Sequence, residues 1–175
     1  MNKRLLGGIA ALGLSVAVMT GCTSEMDTNT DNTGRSYDAP SSSGSSGSSS
    51  SKSDAYLDDA SAIASDASDT MYALASLSSD ASSDTSLVYT ASWKADVRST
   101  ASDLDALYRR AKALNPPASM AAMNTSFVEG LSLAAEAGDE MVAFCSDYDV
   151  NHLFTAASLM NEGTAKINEA AAALK

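Results

Sequence analysis

The sequence predicts an all-α fold, an antiparallel four-helix bundle over residues 54–175. Alanine dominates this part of the chain, apolar residues recur at spacings of three and four, and no stretch alternates with the two-residue period of a strand. Four helical segments of about 25 residues with short connections are typical of an antiparallel bundle. A three-helix bundle with a frayed first helix is the alternative, because the first segment is serine-rich and weakly apolar.

The first helix is predicted over residues 54–79. Its inward seam comprises Leu57, Ala60, Ala64, Ala67, Met71 and Leu74. Asp54, Asp58 and Asp59 fall in its first turns, where the positive end of the helix dipole favours carboxylates. A break rich in serine and aspartate follows over residues 78–86.

The second helix is predicted to run to Leu114. Its cap is expected from one of three residues, Asp84, Thr85 or Ser86. Its inward residues are Trp93, Val97, Ala101, Leu104, Tyr108, Ala111 and Leu114. Three basic residues occupy its last turns near the negative end of the dipole: Arg109, Arg110 and Lys112. The run Asn115-Pro116-Pro117 ends the helix, and Pro117 is well placed to open the third.

The third helix has the clearest heptad seam, with steps that alternate between three and four. The seam is Met120, Met123, Phe127, Gly130, Ala134, Ala137, Met141, Phe144 and Tyr148. A tight corner is expected at Asp147-Tyr148-Asp149, with Asp149 capping the last helix. The inward residues of that helix are Leu153, Ala157, Met160, Thr164, Ile167, Ala171 and Leu174. An alanine-rich core predicts that the helices approach closely.

The chain is strongly acidic, with 11 basic and 22 acidic residues and a formal net charge of −11. Nucleic acid is not expected as a partner, because its recognition needs a basic patch that the sequence lacks. Seven aspartates crowd the first helix and its exit: Asp54, Asp58, Asp59, Asp66, Asp69, Asp80 and Asp84. They predict a solvated face, or else a surface for a basic partner or weakly bound divalent ions.

Few residues suggest catalysis or metal binding. Asp149 and His152 have the spacing of half a carboxylate–histidine metal pair, but the chain has a single histidine, so a cap and a helix-start histidine are the preferred interpretation. Cys145 is expected to be a small buried residue, since a reactive thiol needs a base and positive surroundings. Trp93 and Tyr108 belong either to the core or to a ligand site at one end of the bundle. Five methionines fall on the predicted seams and favour core packing over copper binding: Met71, Met120, Met123, Met141 and Met160.

The N-terminus combines the basic pair Lys3-Arg4, an apolar segment over residues 5–18 and the run Met19-Thr20-Gly21-Cys22. This arrangement resembles a bacterial lipoprotein precursor. The resemblance implies a signal peptide over residues 1–21, cleavage after Gly21 and a diacylglyceryl group on the thiol of Cys22. Ordinary signal cleavage without lipid is the other interpretation. An uncleaved anchor is disfavoured because crossing a bilayer takes roughly 20 apolar residues.

Residues 22–53 follow as a predicted disordered tether rich in serine and glycine. The sequence as a whole predicts a lipoprotein held on the extracytoplasmic face of the cell membrane through its N-terminal lipid, with no bound cofactor. It contains no nucleotide-binding, nucleophile-elbow or zinc-protease motif, so an enzyme is not expected. The preferred function is a non-catalytic binding or interaction module of the cell envelope, with an envelope protein as partner. The alternative is a bundle that binds a small ligand or a metal ion.

Overall fold

The computed structural model describes residues 47–173, which form a bundle of four α-helices without a strand. The helices are α1 (Gly47–Ser83), α2 (Ala91–Lys112), α3 (Ala121–Asp147) and α4 (Val150–Ala172). Short 3-10 turns, Leu87–Tyr89 and Ala118–Met120, precede α2 and α3. The predicted all-α helical bundle is confirmed. The signal peptide (1–21), Cys22, the tether up to residue 46, and residues 174–175 with Leu174 lie outside the described residues.

Consecutive helices are neighbours, so the chain runs up, down, up and down. The α1–α2 connection and the α3–α4 corner share one end of the bundle, as the contact between Tyr89 and Tyr148 shows. We call this the corner end, formed by residues 84–90 and 147–152. The other end, here the base, holds the start of α1 and residues 113–120. There Tyr56 packs near Leu114 and Met120.

The helix α1 begins at Gly47, ahead of the predicted start at Asp54. Serine costs only a fraction of a kcal/mol per residue in a helix relative to alanine, so a nucleated helix continues through a serine-rich stretch. As a consequence the first turn of α1 contains no acidic residue. The prediction that Asp54, Asp58 and Asp59 lie at the positive end of the helix dipole is therefore wrong.

In α1 and α4 several buried positions lie one residue before the predicted ones. In α1 the buried residues are Tyr56, Ile63, Ala67, Met71, Leu74 and Ala81. Leu57, Ala60 and Ala64 are only half-buried. In α4 the buried residues are Ala156, Met160, Gly163 and Ala170. Leu153, Ala157, Thr164 and Ile167 are half-buried, and Ala171 is exposed. Alanines at adjacent positions give too little hydrophobic contrast to fix which neighbour faces inward.

The seams of α2 and α3 agree better with the prediction. All seven interior residues of the predicted α3 seam, Met123 to Phe144, are buried, while Met120 and Tyr148 at its ends are half-buried. In α2, Leu107 is buried in place of the predicted Tyr108, which is half-buried together with Leu114. The buried residues of α2 and α3 include large apolar side chains, so their spacing in the sequence identifies the inward side of each helix.

The caps differ from the prediction at two connections. Thr90 caps α2, accepting a hydrogen bond from the Trp93 amide at 3.3 Å. Asp84 instead accepts bonds from the amide and hydroxyl of Ser86 and so closes a turn. Pro117 precedes the 3-10 turn at Ala118–Met120 and does not open α3 directly. Asp149 caps α4 as predicted, accepting from the Asn151 amide at 3.0 Å.

The helices α3 and α4 approach most closely at two facing glycines. A Cβ atom added to Gly163 would lie 2.7 Å from the carbonyl oxygen of Gly130. A Cβ atom on Gly130 would lie 2.8 Å from the carbonyl oxygen of Gly163. Neither helix could carry a larger residue at this crossing without moving apart. The predicted close approach is thus confirmed for this helix pair.

Candidate functional site

Aromatic and charged side chains meet at the corner end, and Tyr148 contacts several of them. Tyr148 ends α3 in the left-handed backbone region, with φ 61° and ψ 24°. This conformation is uncommon for a residue with a side chain and costs on the order of 1 kcal/mol. Its amide donates to the carbonyl of Phe144 at 2.9 Å, which closes the helix. The left-handed turn also directs the chain straight into α4.

The phenol ring of Tyr148 is held from three sides. Tyr89 packs against it with ring centroids 5.0 Å apart, and Phe144 contacts it edge-on at 6.0 Å. The Lys94 ammonium lies 4.7 Å from the ring centroid and donates a hydrogen bond to the phenol oxygen. These contacts offset the cost of the left-handed backbone.

Trp93 packs on Phe144 and Tyr89 packs on Tyr148, but the two residues differ in burial. Trp93 is buried, meets Phe144 edge-on at 6.2 Å and donates from its indole nitrogen to the Leu77 carbonyl at 3.1 Å. Trp93 is therefore a core residue that ties α2 to α1. Tyr89 is 69% exposed although it leans on Tyr148. An exposed tyrosine ring that packs on a second ring is of the kind enriched at protein interfaces.

The predicted alternative site at Tyr108 lies far from this cluster. Tyr108 is half-buried and packs with the base residues around Tyr56. The Lys112 ammonium lies 5.7 Å from its ring centroid. Trp93 and Tyr108 are thus not brought together in one ligand site.

His152 connects α4 to α3 at the corner end. Its Nδ1 atom contacts the carboxylate of Glu140, and its Nε2 atom lies 3.2 Å from Oδ2 of Asp147. The hydrogen bond to Glu140, followed by that to Asp147, raises the pKa of His152 above its usual value, although partial desolvation opposes the shift. Donation from the Asp149 amide, with a smaller contribution from His152, lowers the pKa of Asp147.

Asp149 and His152 do not form half of a metal pair, and Asp149 is the helix cap that the sequence favoured. The Asp149 carboxylate turns to the backbone and side chain of Asn151, and does not face His152. The two carboxylates that do reach His152 meet opposite ring nitrogens, so they cannot converge with the ring on one ion. Within residues 47–173 no group of three or more histidine, cysteine or acidic residues is placed to hold a metal.

Cys145 occupies the core, as predicted. It is 2% exposed, and burial raises the pKa of its thiol, although the charges of Arg98 and Lys94 act in the opposite direction. The nitrogens of His152 are engaged by Glu140 and Asp147, so the imidazole is not free to act as a base for the thiol. A thiol with a raised pKa is a poor nucleophile at neutral pH.

Two small apolar pockets open between α1 and α4. One, of about 40 Å³, lies among Leu74, Ala75, Ser78, Met141, Ala157 and Met160. The other, of about 60 Å³, lies among Ala64, Ser68, Met71, Thr164, Ile167 and Asn168. Since one water molecule needs about 10–15 Å³ of such cavity volume, each pocket has room for a few waters at most. Four of the five methionines of the predicted seams are buried: Met71, Met123, Met141 and Met160.

The acidic residues of α1 lie on an exposed face, as predicted for a solvated surface. Its six aspartates, from Asp54 to Asp80, and Asp84 in the connection that follows are all exposed. Asp66 forms an ion pair with Arg110 of α2 at 2.8 Å, and both side chains are about half exposed. An exposed pair of this kind contributes about 0–1 kcal/mol.

No family model, no curated protein and no solved structure matches this chain. Across residues 47–173, no helix combines the length and apolar character needed to cross a bilayer.

Sequence reasoning missed Tyr89 in the corner end and two residues that contact it, Lys94 of α2 and Glu140 of α3. Tyr89 had a signal, because it is an aromatic residue within a connection otherwise rich in serine and aspartate. Lys94 and Glu140 had none, since their partners are 54 and 12 residues away along the chain.

Proposed function

We propose that the protein is a non-catalytic interaction module, attached to the extracytoplasmic face of the cell membrane by a lipid on Cys22. The corner end binds an envelope protein. The observation that supports this most directly is the exposed ring of Tyr89, held against Tyr148, at the end of the bundle opposite the start of α1.

The direction of α1 matters for this proposal. A helix of 37 residues is about 55 Å long at 1.5 Å per residue. A lipid on Cys22 would anchor the chain on the base side, because α1 begins there. The corner end is then the end of the bundle opposite the point of attachment. The linker predicted between Cys22 and α1 adds a reach of roughly 30 Å.

The chemistry of the corner end suits a protein partner with basic residues. Tyrosine is enriched at protein interfaces because it combines apolar area with a polar tip. Three carboxylates are exposed around the ring pair, those of Asp84, Asp147 and Asp149. Together with a net charge of −11, they favour encounter with a positively charged surface.

Site-specific cross-linking in intact cells tests this assignment. A photoreactive phenylalanine analogue is placed at Tyr89, and a matched one at Asn115, which is exposed at the base. An adduct with an envelope protein is expected from position 89 and not from position 115. Equal adducts from both positions, or none from position 89, would contradict binding through the corner end.

The lipid attachment has a separate test. Cys22→Ala is expected to move the protein from the membrane fraction to the soluble extracytoplasmic fraction. Mass spectrometry of the wild-type protein should show a diacylglyceryl adduct on a chain that begins at Cys22. A wild-type chain of unmodified mass would refute the anchor and leave the corner-end proposal to be judged by cross-linking alone.

The alternative, a bundle that binds a small ligand or a metal ion, has a simple discriminating measurement. Thermal unfolding is followed with and without a panel of divalent cations. A ligand present at 100 times its dissociation constant stabilises the folded state by about 2.7 kcal/mol, which is a measurable rise in Tm. An unchanged Tm across the panel would count against metal binding.

A further inference from the structure

The side of the bundle where α1 faces α4 is uncharged along most of its length. On α1, one stripe at spacings of three and four comprises Ser65, Ser68, Tyr72, Ala75, Ser79 and Ser82. On α4, the matching stripe comprises Val150, Phe154, Ala157, Asn161, Thr164 and Asn168. We call these two stripes and the groove between them the α1–α4 face.

Both pockets lie in this groove, so the residues that line them show which side of each helix faces the groove. Ala75 and Asn161 line one pocket, and Ser68 and Asn168 line the other. Residues three or four apart lie on the same side of a helix. Tyr72 therefore borders the groove on α1, and Phe154 borders it on α4.

Few residues of α1 and α4 contact each other across this groove. The helix α1 packs chiefly on α2 and makes far fewer contacts with α4, whereas α3 and α4 pack extensively. The two pockets between these helices are small and mainly apolar, and Tyr72 and Phe154 beside them are exposed to solvent.

Large apolar side chains are exposed on the rims. Tyr72 is 68% exposed, Phe154 59% and Val150 36%. Among residues 47–173, the fourth large apolar residue that is exposed is Tyr89 at the corner end. Burying a side chain of the size of phenylalanine removes apolar surface from water and so favours association. Such side chains gathered beside a groove are typical of an association surface.

The charge distribution indicates the occupant. The chain carries a net charge of −11, so two copies repel each other through most of their surfaces. From Thr70 to Ser79, α1 has no charged residue, and from Leu153 to Asn161, α4 has none. Two copies can therefore approach through the middle of the α1–α4 face with few carboxylates between them.

We propose that the α1–α4 face binds the same face of a second copy of this chain. A twofold axis parallel to the helices sets the rims of one copy against the groove of the other. The α1 rim of each copy then faces the α4 rim of the other, so every contact between two different residues occurs twice, as in any symmetric dimer. The same axis places both bases on one side, which is compatible with attachment of both copies to one membrane, although the dimer does not depend on that attachment.

Sedimentation equilibrium of residues 23–175 tests the dimer. This chain keeps the predicted tether and lacks only the predicted signal and the lipid site. At a concentration on the order of 100 µM the wild-type chain is expected to be a dimer, since small interfaces bind weakly. Tyr72→Asp combined with Phe154→Asp adds carboxylates to both rims and is expected to weaken association at least about tenfold.

A matched control places the same two charges elsewhere. Ser102→Asp on α2 and Thr125→Asp on α3 both alter exposed residues outside the α1–α4 face. This control is expected to remain dimeric, and circular dichroism should give the same helix content for all three proteins. A monomeric wild-type chain, an unweakened Tyr72/Phe154 variant, or a control that dissociates equally would each overturn the proposal.

Discussion

His152 is the residue through which pH acts on this fold. It joins α4 to two carboxylates of α3, those of Glu140 and Asp147. The protonated imidazole donates to both, so folding favours the charged form and raises the pKa of His152. The link is therefore at full strength only while the ring is charged.

The first prediction concerns the pH dependence of stability. The folded-state pKa of His152 is raised above its usual value of 6.5. Its contribution to stability is thus complete below that value and is lost as pH rises through the folded-state pKa. The difference in free energy of unfolding between wild type and His152→Gln should be larger at about pH 5.5 than at about pH 9. Urea unfolding at both pH values measures it, and a difference independent of pH would refute the link.

A second prediction concerns Gly163, where a methyl group has no room. Alanine is favoured over glycine in a helix by about 1 kcal/mol. At this position the new Cβ would meet the Gly130 carbonyl oxygen at 2.7 Å, and a backbone atom cannot rotate away. Gly163→Ala is therefore expected to destabilise the fold by about 1–3 kcal/mol net.

Thr155→Ala provides the control for this measurement, because Thr155 is exposed on the same helix. Its free energy of unfolding should stay within about 0.5 kcal/mol of wild type. If Gly163→Ala stabilised the protein by the amount that helix propensity gives, α3 and α4 would not be in close contact.

At the scale of the helices, the third prediction distinguishes the observed cap of α2 from a cap expected from sequence. Thr90 accepts from the Trp93 amide, whereas Thr85 is exposed in the preceding turn and caps nothing. Thr90→Ala should cost about 1 kcal/mol, as loss of an N-cap does. Thr85→Ala should change stability by less than about 0.5 kcal/mol. Chemical denaturation compares them, and equal losses would contradict the cap at Thr90.

The helices themselves were largely predictable from sequence, and their exact bounds were not. The heptad seam of α3 contains Phe127, Met141 and Phe144, which are large enough to identify the inward side. In α4 the choice between Ala156 and Ala157 depends on packing against α3, which the sequence does not encode locally. The cap of α2 was ambiguous because every polar residue of the connection can act as one.

The corner end could be predicted only in part. The tight turn and the Asp149 cap follow from local sequence, and both are observed. The pairing of His152 with Glu140, and that of Lys94 with Tyr148, arise when separate helices meet. Such contacts depend on tertiary structure, so no local sequence pattern predicts them.

At the scale of the whole molecule, α1 is the least firmly held helix. It packs mainly on α2, while α3 is packed extensively against both α2 and α4. Specific links add to this packing: the Tyr56 hydroxyl donates to Oδ1 of Asn124 in α3 at 3.0 Å, and the Trp93 indole of α2 donates to the carbonyl of Leu77 at 3.1 Å. The two pockets along α4 remove contacts that would otherwise add to this attachment.

The last prediction follows from this uneven packing. Elements with fewer buried contacts open locally at lower free energy than the whole molecule unfolds. Backbone amides of α1 between Ile63 and Leu74 should exchange with solvent at least about tenfold faster than those of α3 between Leu131 and Met141, a difference of about 1.4 kcal/mol or more in opening free energy. Native-state hydrogen exchange in dilute solution, below the concentration for self-association, measures both helices at once. Equal protection would mean that α1 opens only with the whole bundle, so that its attachment through Tyr56, Trp93 and the α2 interface is as strong as the α3–α4 contact.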